Sequence, residues 1–155
     1  MHGGHPPQLG ASVPGFSLAN QFGEKITLAG LEGAGAALVF FPFAFSPVCR
    51  SELAELERGK AMFDRVGVRV LAVSCDSKYT LRAWAGQEGF SFDLLSDFWP
   101  HGATARAYGA FDAEGGLAQR ASFLIDGRGV LRAAIRSAPG VPRPLDEYRN
   151  ALEAM

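Results

Sequence analysis

The chain holds two cysteines, Cys49 and Cys75, among its 155 residues. Two is too few for a disulfide framework. In a reducing compartment each is either core filler or chemistry, and free cysteine is among the most buried residue types. The surroundings of Cys49 favour chemistry. Ala36 to Pro42 is a continuous apolar run that suits a central strand buried on both faces. It leads through Phe43-Ala44-Phe45 into Ser46-Pro47-Val48-Cys49, where Ser46 suits an N-cap and Pro47 the first helical position. Cys49 therefore falls in the first turn of a helix just past a central strand, where reactive groups of open α/β sheets collect. Unpaired N–H groups and the partial positive charge of a helix start favour a thiolate. The thiolate is the form that attacks electrophiles.

The elements that must position this thiol alternate between strand and helix, which favours an α/β layered domain. Phe16 to Leu18 and Lys25 to Leu28 flank Asn20-Gln21-Phe22-Gly23 and read as a hairpin. The helix begun at Ser46 is expected to run to about Asp64. Leu53, Leu56 and Phe63 then face the core, with Glu52, Glu55, Glu57 and Arg58 largely outward. Val66 to Ser74 reads as a strand, Tyr79 to Glu88 as a helix closed by Gly89, and Phe92 to Leu95 as a short strand. An aromatic turn, Phe98 to Gly102, precedes a short helix at Thr104 to Tyr108; its His101 is expected to be structural. Gln119 to Ile125 and Val130 to Ile135 form a hairpin across Asp126 to Gly129. Pro144 opens a C-terminal helix in which Leu145, Tyr148, Leu152 and Met155 repeat at helical spacing.

Pro42-Phe43-Ala44-Phe45-Ser46-Pro47-Val48-Cys49 resembles the peroxiredoxin active-site motif Pro-x-x-x-(Thr/Ser)-x-x-Cys. The likeness extends from about Gly10 to Arg136. Val73-Ser74-Cys75-Asp76-Ser77 with Ala83-Trp84, Leu95-Ser96-Asp97, and Ala107-Tyr108-Gly109 follow in family order. Arg120 stands at the family's second-half arginine, before Ile125-Asp126-Gly127. Leu94 to Gly102 is similar to the one-cysteine alkyl hydroperoxide reductase E group. The resemblance implies a thioredoxin-like fold, a central mixed β-sheet flanked by helices, as a single domain over residues 1–155 with residues 1–9 flexible. It also implies a thiol-dependent peroxidase. The Cys49 thiolate would attack a hydroperoxide and become a sulfenic acid, recycled by a low-molecular-weight thiol or a redoxin. Ser46 would orient the peroxide, Arg120 would supply a permanent cation, and Pro42 would shield the thiolate from water. The N–H groups of Val48 and Cys49 would complete the donor set. Phe43 and Phe45, with Phe98 and Trp99, would suit an organic hydroperoxide. Glu52, one turn after Cys49, matches a frequent family glutamate, although a solvated helix face explains it as well; Trp84 is a further supporting candidate. Members of this kind usually pair as homodimers.

Three alternatives remain open. Cys75 could resolve the sulfenic acid as an internal disulfide, or be a small buried residue; the rigid strand beneath it favours the second. Thiol–disulfide exchange usually uses Cys-x-x-Cys, whereas Ser46 and Glu52 flank Cys49 at that spacing. A redox sensor without turnover would not need Pro42, Ser46, Cys49 and Arg120 together. Bulk properties narrow the rest. The formal net charge of −1 gives no reason to expect a nucleic-acid partner. The longest apolar run, Ala36 to Phe45, is interrupted by Pro42 and falls short of the about 20 residues of a membrane span. The N-terminus has no basic and apolar signal regions, so a cytoplasmic location is expected. No second His or Cys lies at ligand spacing, so neither a metal nor another cofactor is expected.

Overall fold

A computed structural model describes residues 5–155. Seven strands form one sheet in the order β2-β1-β5-β4-β3-β8-β9. These are β1 (Ser17–Asn20), β2 (Lys25–Thr27), β3 (Gly35–Phe40), β4 (Val68–Ser74), β5 (Asp93–Ser96), β8 (Ala121–Ile125) and β9 (Leu131–Arg136). The three inner strands β3, β4 and β5 run parallel. The hairpins β1–β2 and β8–β9 add antiparallel edges on either side. β3 is buried along nearly its whole length, as a continuous apolar strand under two covered faces must be.

Alternation along β3 and β4 sends successive side chains to opposite layers. Ala37, Val39, Val70 and Ala72 meet α1 (Pro47–Arg58), α2 (Lys60–Asp64), α3 (Lys78–Glu88) and α5 (Leu145–Leu152). Leu38, Phe40, Leu71 and Val73 meet α4 (Ala103–Ala107), Tyr108 and the segment around Val13 and Phe16. Leu53 and Leu56 anchor α1, and each buried leucine contributes roughly 1.5–3 kcal/mol. α3 is capped at both ends: Thr80 N–H donates to Ser77 Oγ at 3.2 Å, and Gly89 ends it with φ +77°.

The structure departs from the expected elements in two places. The long helix ending at Asp64 is two helices, broken at Gly59. A Cβ on Gly59 would stand 2.9 Å from Leu145 Cδ2, so the break lets the start of α5 press against the end of α1. A two-residue hairpin, β6 (Phe111–Asp112) and β7 (Leu117–Ala118), gave no sequence signal because each strand is shorter than one alternation. Of the stretch 1–9, residues 1–4 lie outside the described residues, and Pro6 packs on Gly109. Among the described residues no helix is long and apolar enough to cross a membrane.

Gly102 joins the aromatic turn to α4 with φ +71°, and a Cβ there would lie 2.2 Å from Phe111 Cε1. Gly102→Ala should destabilise the fold by roughly 2–4 kcal/mol, combining left-handed strain with overpacking. Gly86→Ala, in the open middle of α3, should stabilise by about 1 kcal/mol. Urea unfolding of both variants beside the parent checks the pair.

Candidate active site

Cys49 lies in the first turn of α1 and is fully buried. The chain reaches it through a tight turn after β3, in which Phe45 adopts φ +68°. Ser46 occupies the N-cap position, but its side chain does not cap the helix. Its Oγ donates instead to the Phe43 carbonyl at 2.9 Å, an acceptor that the Phe45 turn leaves close by. The first N–H of the helix to find a carbonyl is that of Arg50, on Ser46 O at 2.9 Å. The Val48 and Cys49 N–H groups ahead of it have no intrahelical acceptor.

Arg120 comes one residue ahead of β8 and reaches Cys49 across the end of the sheet. Its Nη2 donates to Cys49 Sγ at 3.3 Å. Its Nε donates to the Pro139 carbonyl at 2.6 Å, and its Nη1 pairs with Glu52 Oε1. The guanidinium is thus held on three sides and is itself buried.

Glu52 overturns the expectation of an outward helix face. It is buried, 5% exposed, because it lies one turn after Cys49 on the same side of α1. It binds two arginines. Beside Arg120, Arg143 encloses its carboxylate, with the backbone N–H on Oε2 at 2.6 Å, Nε on Oε2 at 2.9 Å and Nη2 on Oε1 at 2.9 Å. Burial alone would push the Glu52 carboxyl up. The Arg143 hydrogen bonds and charge, with the Arg120 charge, outweigh burial and hold it below the usual carboxylate range. Burial likewise works against the Arg143 cation. The Glu52 hydrogen bonds, Tyr148 and the charges of Glu52 and Cys49 outweigh it and raise Arg143 above its ordinary value.

Sequence reasoning missed Arg143. Its one local signal was a lone cation clamped between Pro142 and Pro144, where the fixed φ of proline holds the backbone in an extended path.

Pro42 is buried two residues past the end of β3. With Arg120, Arg136, Ser137, Pro139 and Leu117 it lines a cavity of about 220 Å³ beside the guanidinium. Phe43, Phe45 and Val48 do not line it. The two phenylalanines are about half exposed, 49% and 47%, and Phe45 leans on Trp84 with ring centroids 6.1 Å apart. Trp84 is a core residue behind Cys49, tilted against Phe41 and edge-on to Phe90. His101 holds the Gly116 carbonyl at 2.7 Å, away from this cluster.

Cys75 follows β4 in step with Leu71 and Val73, whose side chains serve the opposite layer from Cys49. Burial, then the charges of Asp97 and Asp76, push its thiol up to about 12.

Replacing the Glu52 carboxylate should therefore cost stability in a pH-dependent way. Its folded-state value is depressed, so its contribution is fully present above the ordinary value of 4.5 and fades as the pH falls through the folded value. Glu52→Ala should destabilise by roughly 3–5 kcal/mol at neutral pH, because it leaves a buried cation unpaired. The gap to the parent should narrow below the ordinary carboxylate range. Urea midpoints measured across acid pH give the answer, and a gap constant with pH would contradict the depressed ionisation.

Residues 9–134 match the model of the AhpC/TSA family. The chain is 41% identical over 148 residues to the alkyl hydroperoxide reductase E of Mycobacterium tuberculosis, covering 95% of this chain and 97% of that one. It is 31% identical to the alkyl hydroperoxide reductase C of Staphylococcus epidermidis over 84% of this chain and 70% of that one. The Enterococcus faecalis AhpC crystal structure superposes with a TM-score of 0.88 at 27% identity, covering 96% of this chain and 92% of the other. The mixed, thioredoxin-like sheet, and a sequence likeness running nearly end to end, agree on one conclusion: the chain belongs to the AhpC/TSA family of peroxiredoxins.

Proposed function

We propose that the chain is a thiol-dependent peroxidase that reduces hydrogen peroxide and organic hydroperoxides through a Cys49 sulfenic acid. The observation that carries this reading is the buried contact between Arg120 Nη2 and Cys49 Sγ at 3.3 Å, with Arg120 itself held by Glu52 and Pro139. Family membership and the peroxidase names of the relatives support it.

In this reading the Cys49 thiolate attacks the terminal oxygen of ROOH in line with the O–O bond. An S–O bond forms, the O–O bond breaks, and the leaving RO⁻ takes a proton to become an alcohol, or water when R is hydrogen. Sulfur is oxidised to the sulfenic acid and the peroxide is reduced. Negative charge spreads over sulfur and both oxygens in the transition state. Arg120 and the Val48 and Cys49 N–H groups donate to it, and Ser46 Oγ orients the peroxide. Pro42, which has no N–H to recruit water, shields the sulfur. Phe43 and Phe45 offer apolar surface to an organic group, Trp84 backs the first turn of α1, and Glu52 orients Arg120. An external thiol, from a small molecule or a redoxin, condenses with the sulfenic acid and releases water. A second thiol then frees Cys49 from the mixed disulfide. The placement of Cys75 on the opposite layer, its thiol kept protonated by burial and two carboxylates, favours this one-cysteine cycle over an internal disulfide. We further infer one domain over the whole chain, a cytoplasmic location and a homodimer paired through the loops beside the site, where Phe43, Phe98 and Trp99 are exposed.

One equivalent of peroxide should leave a dimedone-trappable Cys49 beside an unmodified Cys75, read by mass spectrometry of a digest made without reductant. Cys49→Ser should consume no peroxide above buffer level, since a hydroxyl does not form the reactive anion at neutral pH. A serine variant as fast as the parent would defeat the peroxidase reading. A Cys49–Cys75 peptide pair as the major product would replace the one-cysteine cycle with a two-cysteine one.

Arg120→Ala should slow peroxide attack by about 100- to 1,000-fold, and alkylation by iodoacetamide far less. The comparison is made at a pH high enough to ionise the thiol in both proteins, so that only the loss of a donor to the breaking O–O bond remains. Equal losses with both reagents would remove the peroxide-specific role of Arg120.

A further inference from the structure

Arg143 is held at both edges of its guanidinium. One edge grips Glu52; at the other, Nη1 donates to Ser122 Oγ at 2.9 Å. Ser122 Oγ lies 2.7 Å from the Tyr148 hydroxyl. All three side chains are buried, so every bond lost in this chain leaves a polar atom without water.

The arrangement follows from two periodicities. Ser122 is two residues beyond Arg120, so alternation along β8 places both on the same side of the sheet. Tyr148 lies in the second turn of α5, and its ring stands edge-on to Phe63 at 5.9 Å between centroids, which aims the hydroxyl at β8. Arg143 donates to Ser122 Oγ, and that oxygen shares a hydrogen bond with the Tyr148 hydroxyl in which either group can donate, so the three side chains form one connected chain. Burial holds the Tyr148 phenol above its ordinary value, so it stays neutral. The groups that face Arg143 are then Glu52 and Cys49 from α1, Ser122 from β8 and Tyr148 from α5.

We propose that the Ser122–Tyr148 hydroxyl pair is a positioning device for the peroxidase reaction: it fixes Arg143, and through Glu52 it fixes Arg120 against the Cys49 sulfur. This rests on the reading of Cys49 as the peroxide-reducing nucleophile. Neither hydroxyl touches substrate; both act through the arginines. The packing of α5 against β8 thereby becomes a determinant of thiol reactivity, although α5 contributes no group to the sulfur itself.

The test uses the full chain with Tyr148→Phe, which removes one oxygen and keeps the ring, with Ser122→Ala, and with Ser122→Thr, which keeps the hydroxyl. Tyr148→Phe should slow peroxide reduction roughly threefold and Ser122→Ala roughly tenfold, in keeping with the loss of one or two buried hydrogen bonds. In both, the pH profile of iodoacetamide alkylation at Cys49 should move to higher pH, because a loosened Arg143 stabilises the thiolate less. Ser122→Thr should restore both readouts toward the parent. Variants that lose urea stability but keep the parent's peroxide rate and pH profile would overturn the proposal, and so would a Ser122→Thr variant as slow as Ser122→Ala. Failure of the underlying reading would look different: the parent chain itself would then consume no peroxide.

Discussion

Two arginines and one glutamate are ionised together in a buried place at the end of the sheet, and the interior cannot leave a charge unmatched. Arg120 and Arg143 bring two positive charges, Glu52 brings one negative charge, and all three are buried. A buried ion without its counter-charge costs several kcal/mol even after relaxation. One cation is therefore in excess, and the atom that Arg120 faces with its remaining nitrogen is Cys49 Sγ. The cluster around this cysteine is thus set by charge pairing under burial, and it depends on every element that keeps it dry.

Those elements come from distant parts of the chain. The first turn of α1 brings Cys49 and, one turn on, Glu52. The start of β8 brings Arg120 and Ser122, and the segment before α5 brings Arg143. The pairing of β3 with β8, Phe40 opposite Ala121, places Arg120 beside the exit of the strand that leads to Cys49. The break at Gly59 lets Leu145 approach, and Glu55 Oε1 accepts the Leu145 N–H at 3.1 Å, so the start of α5 is pinned to α1 within reach of Glu52. Glu52 and Glu55 thus stitch the same two segments together, one in the dry interior and one at its margin.

The part of the site that was legible in the sequence was the part written locally. Pro42, Ser46 and Cys49 fall within eight residues, and a strand exit followed by a helix start reads from adjacent residues alone. Arg120 needed the resemblance, because nothing near it distinguishes it from a surface strand arginine. Glu52 was misread by the usual rule that a charged residue faces water. The rule fails here because its partner arginines lie 68 and 91 residues away and cannot be seen from the helix. Arg143 was invisible for the same reason in reverse. Ser46 shows the opposite limit: its N-cap position was readable, but whether its hydroxyl would cap depended on where the Phe45 turn left the Phe43 carbonyl. The sheet was largely legible, since β3 and β4 are long, mostly apolar runs. The β6–β7 hairpin was not, because two residues a strand carry no period.

The two cysteines show how far environment outweighs residue type. Both are buried, and both sit near the ends of adjacent parallel strands. Alternation decides the rest. Cys75 continues the phase of Leu71 and Val73 into the layer of α4, where the charges of Asp97 and Asp76 outweigh that of Arg106. Asp97 is itself occupied in capping α4, accepting the Thr104 and Ala105 N–H groups at 3.0 and 2.8 Å, so its negative charge beside Cys75 follows from how that helix begins. A thiolate there would be a second buried anion beside the first. Cys49 enters the other layer, where the fixed charges are arginines in excess. A shift of one residue in β4 would move the Cys75 sulfur to the opposite face, and with it the sign of the field it feels. Strand phase, more than the presence of a thiol, therefore decides which charges each cysteine meets.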